Sequence, residues 1–165
     1  MGVLQTKRSS GSPREVIALI GFVGACFVVA AIGSWFTDPR IEGWYASLRK
    51  PDWTPPNWVF GPVWTALYVS MAVAAWLVWR QRGWRRELAL FAGQLVLNMA
   101  WSAIFFGARN PAAAFLEILA LWVMILATTI FFWRVSSVAG WLMVPYLGWV
   151  GFATILNFVI WRMNA

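Results

Sequence analysis

The sequence has no histidine and a single cysteine, Cys26, among its 165 residues. Without imidazole, and with only one thiol, the chain cannot build a common zinc site or a His-ligated haem, so neither a metal site nor a required cofactor is expected. One cysteine also excludes an intramolecular disulfide, and its place inside the first apolar run makes it a small packing residue. Charge is scarce as well: 12% of residues are charged, where a soluble domain carries about a quarter. No polar stretch is long enough to form a separate soluble domain.

What remains is apolar. Hydrophobic residues make up 61% of the chain and the mean hydropathy is +0.68, which reads as an integral membrane protein. Crossing the hydrocarbon takes about 20 apolar residues. Five such runs are present, and they predict helices over about 14–36, 57–79, 86–106, 112–133 and 138–161. The short connectors RQRGWR, GARNP and RVSS make consecutive helices antiparallel neighbours, giving an all-α, five-helix bundle. Residues 1–13 read as a disordered tail. The first run, Val16 to Phe36, is too long for a signal-peptide core and is read as a true span.

The net charge of +7 comes from residues at span ends, which points to topology and anionic-lipid contacts and not to nucleic acid. Lys7, Arg8, Arg14, Arg80, Arg82, Arg85, Arg86 and Arg134 gather on one side. Arg40, Arg49, Lys50, Arg109 and Arg162 lie on the other. The positive-inside bias therefore places the N-terminus inside and the longest connection, 37–56, outside. That connection and the start of the next run read WYASLRKPDWTPPNWVFGPVW. Pro51, Pro55 and Pro56 remove backbone donors and fix angles, so a stiff cover is expected instead of a flexible linker. Pro62, in the first turns of the second span, is expected to kink it and open room beside Trp64.

Helical spacing puts Trp64 and Tyr68 on one face of the second span. Gln94, Asn98, Trp101 and Phe105 share a face of the third, and Tyr146, Trp149, Ala153 and Asn157 share one of the fifth. Buried amides either join neighbouring helices or serve as the polar points of a cavity with aromatic walls, and spacing leaves both open. Trp35, Trp79, Trp84, Trp133, Trp141 and Trp161 fall at span ends and read as an interfacial belt. Glu117 is the one carboxylate well inside an apolar run. It lies near a helix start, where negative charge is favoured. Gly21 with Ala25, and Ala89 with Gly93, are spaced for close helix contact and make a homodimer plausible.

Four segments, WYASLRKPDWTPP, FGPVWTALYVSM, QLVLNMAWSAIFFG and VPYLGWVGFATILN, resemble the TspO/MBR family, the tryptophan-rich sensory and translocator proteins that include the peripheral benzodiazepine receptor. The match runs in order through all five spans. It implies a dimeric five-helix membrane protein that binds protoporphyrin IX or other flat hydrophobic molecules beneath a lid formed by the first loop, and acts in porphyrin sensing, sequestration or transport. Carried over by motif, the ligand contacts are Trp44, Tyr45, Trp64, Gln94, Asn98, Trp149 and Ala153. Tyr68, Trp101 and Tyr146 join them from the stripes. The resemblance also implies a light-dependent degradation of porphyrin assisted by Trp64 and Trp149, which would be the catalytic residues of such an enzyme. The animal members' cholesterol motif is not matched, because Phe158 stands where its tyrosine would be. High-affinity cholesterol binding is therefore not expected, and a bacterial plasma or outer membrane is favoured. A competing reading, from a different class, is a small proton-coupled exporter of drugs or cations that uses Glu117.

Overall fold

The computed structural model describes residues 12–165. Five long helices, α1 (Pro13–Arg40), α2 (Asn57–Arg82), α3 (Arg86–Ser102), α4 (Pro111–Val135) and α5 (Ser137–Asn164), account for most of them. π-helical turns extend two of these, Ile41–Tyr45 after α1 and Ala103–Gly107 after α3. With those extensions, all five helices are long and apolar enough to cross a membrane. The protein is a multi-pass, all-α membrane protein. Most of the expected disordered tail, residues 1–11, lies outside the described residues, and Ser12 and Pro13 begin the first helix.

Local chemistry sets the ends. Pro13 and Pro111 open α1 and α4, where a missing N–H costs nothing. Asn110 caps α4 by accepting from the Ala113 N–H at 3.0 Å. Ser136 is the only residue between α4 and α5. Its N–H donates to Phe132 O at 2.8 Å, closing one helix, and its hydroxyl accepts from the Ala139 N–H at 3.3 Å, opening the next. Gly83 ends α2 at φ 67°, a left-handed conformation that glycine adopts without strain.

The packing order around the bundle is α1, α2, α5, α4, α3. α2 and α3, expected as antiparallel neighbours, are not adjacent in this ring and meet across the bundle through the Tyr68–Asn98 bond. The physical reason is that α1 packs against both of them and comes between. The α4–α5 hairpin is the closest pair. A Cβ on Gly140 would stand 2.7 Å from the Trp133 ring and 2.8 Å from its Cβ. Gly93, expected as part of a dimer motif, faces Met124 of α4, whose Cε would stand 3.9 Å from a Cβ added there, and so serves packing within the chain. Gly21 and Ala25 lie on an exposed face of α1, a helix that buries only Phe22 and Cys26.

The first connection differs from its expected form. α1 and its π turn continue to Tyr45, so much of the 37–56 segment is helical and the irregular cover begins near Leu48. Polarity had ended the expected helix at Phe36. The helix continues past it: the Thr37 hydroxyl turns back to Gly33 O at 2.9 Å, so this polar side chain is satisfied on the helix itself, and Pro39 does not prevent the helix from reaching Arg40.

Gly140→Ala should destabilise the protein by about 1–3 kcal/mol, because the added methyl must push the Trp133 ring and its Cβ away. Thermal unfolding in detergent should show the lower midpoint, and an unchanged midpoint would mean that the hairpin is loose.

Candidate functional site

At the end of the bundle where α1 and α3 make their π turns lies a cavity of about 470 Å³. Drug-sized and cofactor-sized ligands occupy pockets of about 300–1,000 Å³. All five helices contribute to its wall. Tyr45, Trp64, Tyr68, Asn98, Trp101, Trp149 and Ala153 of the expected set line it. α1 adds Phe27, Ser34, Thr37 and Asp38, and α4 adds Ile118 and Leu121. No aromatic or amide stripe on α1 marked its contribution in the sequence, where small and aliphatic residues prevail.

Three expected contacts stand outside the wall. Trp44 packs edge-on against Phe105 and Phe106, with ring centroids 5.6 and 6.4 Å apart. The π turn points its neighbour Tyr45 at the cavity instead. Gln94 and Tyr146 are completely buried between helices. They are bonded to each other, with the Tyr146 hydroxyl donating to Gln94 Oε1 at 2.9 Å.

That bond belongs to a chain that crosses three helices. Tyr68 OH donates to Asn98 Oδ1 at 2.5 Å, and Asn98 Nδ2 donates to Tyr146 OH at 3.1 Å. Farther along α3, Trp101 Nε1 donates to Asn157 Oδ1 at 3.0 Å, and Asn157 Nδ2 donates to Pro111 O at 2.8 Å. The amides therefore do both jobs that the sequence left open. They tie α2, α3, α4 and α5 together, and Asn98 and Asn157 also show a polar edge to the cavity. An amide nitrogen carries two hydrogens, so Asn98 keeps one N–H beyond its bond to Tyr146.

The π turns build the closed end. The Ala108 N–H donates to Ala103 O at 2.8 Å, a spacing of five residues that widens the helix by one residue. This brings Phe105 and Phe106 beside Tyr45, and the three rings meet at 4.8–6.3 Å between centroids. Over them lies the cover. The Arg49 N–H donates to Asn164 Oδ1 at 2.9 Å, while Asn164 Nδ2 donates back to Arg49 O at 2.8 Å. Lys50 Nζ donates to the carbonyls of Tyr45 and Leu48 at 2.6 and 3.0 Å, so its charge closes the end of the π turn. Trp53 rests on Phe152 of α5 with centroids 5.7 Å apart. The cavity opens instead along the seam of α1 and α2, where the lining residues Ser34, Asp38, Trp58, Gly61 and Thr65 are exposed. Pro62 faces away from it, into a shallow apolar groove on the outside of α2.

Glu117 does not line the cavity. Both of its carboxylate oxygens are buried without a hydrogen-bond partner among the described residues.

The arrangement can hold a flat, largely apolar molecule against indole and phenol faces while a few amide and hydroxyl groups orient its edge. Asn98→Leu leaves the Tyr68 hydroxyl unpaired, a loss of about 1–3 kcal/mol for a buried polar group, and removes one of the two partners of the Tyr146 hydroxyl, whose bond to Gln94 remains. In detergent it should lower the unfolding midpoint by more than Tyr68→Phe, which removes one hydroxyl. Midpoints of both variants equal to that of the wild type would show that the chain of bonds contributes no stability.

The model of the TspO/MBR family matches residues 22–162. The tryptophan-rich protein TspO of Chlorobaculum tepidum is 42% identical over 156 residues, covering 92% of this chain and 98% of that one. The translocator protein of Homo sapiens is 42% identical over 153 residues, with 90% of each chain covered. The tryptophan-rich sensory protein of Cereibacter sphaeroides is 39% identical over 143 residues, covering 87% of this chain and 89% of that one. With a match through every span, and a cavity walled by residues of the segments that carry it, the chain belongs to the TspO/MBR family.

Proposed function

We propose that the protein binds a tetrapyrrole such as protoporphyrin IX, or another flat hydrophobic molecule, in the bundle cavity, and acts in porphyrin sensing, sequestration or transport in a bacterial cell membrane. The observation that carries this reading is the composition of the wall. Trp64, Tyr68, Trp101 and Trp149 face a space of about 470 Å³, with Asn98 and Asn157 as its amides. A broad aromatic macrocycle gains from ring contacts on both faces, and its ring nitrogens and edge substituents suit a few fixed polar groups. The opening between α1 and α2 lies along the side of the bundle, which suits a ligand that partitions into lipid.

A second reading, light-dependent oxidative degradation of the porphyrin, is supported by the placement of Trp64 and Trp149 on the same cavity. An indole held against an excited porphyrin is a ready electron donor. Export driven through Glu117 lacks such support, because that carboxylate stands apart from the cavity.

One sample tests both readings. Protoporphyrin IX should quench tryptophan fluorescence saturably in the dark, and Trp64→Ala with Trp149→Ala should weaken binding by about tenfold. Each aromatic contact contributes ~0.5–1.5 kcal/mol beyond its area, and 1.4 kcal/mol is tenfold. Unchanged affinity in the double variant would overturn the assigned wall. Under illumination, a product absorbance that the double variant fails to produce would establish the enzymatic reading. A spectrum identical to that of free porphyrin with albumin would end it.

We also infer a homodimer, for which the exposed Gly21 and Ala25 on α1 offer a close-packing face. Light scattering in detergent should return the mass of two chains, and a single-chain mass at all concentrations would overturn it.

A further inference from the structure

The cavity wall contains one charged residue, Asp38, and it is acidic. It stands on α1 at the opening toward α2, exposed, next to the lining residues Thr37 and Ile41. No cation of the described residues lies within ion-pair distance of it, since the ion pairs there are Arg80–Glu15 and Arg86–Glu87 at the other end of the bundle. The basic residues of the first connection make no ion pair with it. Lys50 directs its ammonium to the carbonyls of Tyr45, Ala46 and Leu48. Neither Arg40, Arg49 nor Lys50 lines the cavity. Among the described residues, then, the opening presents one negative charge with no cation paired to it to whatever edge of a ligand rests there.

We propose that Asp38 sets the charge preference of this site, favouring flat ligands whose outward edge is cationic or neutral and disfavouring those that place a carboxylate there. The inference rests on the tetrapyrrole reading and sharpens it. A macrocycle with acidic side chains must turn them away from α1 or be bound more weakly than its ester. The physical basis is Coulombic and local. Because Asp38 is exposed, water and salt screen it, and the effect is one of selectivity among ligands that the aromatic wall accepts equally.

Three porphyrins with one shared skeleton separate the possibilities: protoporphyrin IX with its two carboxylates, its neutral dimethyl ester, and a derivative whose two acidic side chains end in amines. Each is titrated by fluorescence quenching against the wild type, Asp38→Asn and Asp38→Lys in an uncharged detergent at low salt. The wild type should bind the amine form most tightly and the dicarboxylate least. Asp38→Asn should tighten the dicarboxylate and weaken the amine form by about two- to fivefold each, the size of an exposed ionic contact, and shift the ester least. Asp38→Lys should reverse the order, and raising the salt should compress it. If all three ligands shift together, or none shifts, Asp38 has no such role while the tetrapyrrole reading stands. If none of the three binds saturably to any variant, the tetrapyrrole reading falls and takes this inference with it.

Discussion

The constraint on which this structure depends is the absence of water inside a bilayer. A backbone or side-chain polar group there must find its partner within the protein. Helices satisfy the backbone, and the Tyr68–Asn98–Tyr146–Gln94 chain satisfies the side chains that would otherwise be stranded between α2, α3 and α5. The bonds make those helices a unit, since moving any one of them orphans a group on another. They also explain how a cavity can persist beside the core. A wall held by directional bonds does not need to collapse into close packing to be stable.

A helix end leaves its last carbonyls without intrahelical partners. Here two π turns, one after α1 and one after α3, meet at the same end of the bundle and form a platform. Each adds one residue per turn locally and rotates the side chains that follow. Tyr45, Phe105 and Phe106 thereby converge on one aromatic cluster. The cover closes over this platform through the paired bonds of Arg49 with Asn164, tying the first connection to the last turn of α5 across 115 residues of sequence. With the end shut by backbone bonds and the flank open between α1 and α2, the route into the cavity runs along the side of the bundle.

The expected fold and the observed one agree because their cause is local. A run of about 20 apolar residues has few options in lipid other than a helix. The site was legible where a helix carries a contrasting stripe: Trp64 with Tyr68, Asn98 with Trp101, and Trp149 with Ala153 all line the cavity. It was not legible where direction depends on a neighbour. Trp44 precedes Tyr45 by one residue and is as aromatic, and only the π turn decides which of them looks inward. Gln94 lies one helical turn from Asn98 and shares its face. A full turn of depth puts it behind Tyr146, out of reach of the cavity.

The sequence by itself determined the class of molecule, the number of spans and which helical faces are aromatic and polar. These follow from hydropathy and from a helical period that every segment obeys independently of the others. The tertiary structure alone decided that α1, bland in composition, supplies one side of the cavity, that Asp38 stands at its opening, and that Glu117 is left outside it. The physical reason is that enclosure is a relation between helices. It depends on which helices pack against one another and on which residues each π turn rotates inward, and no single segment carries that information.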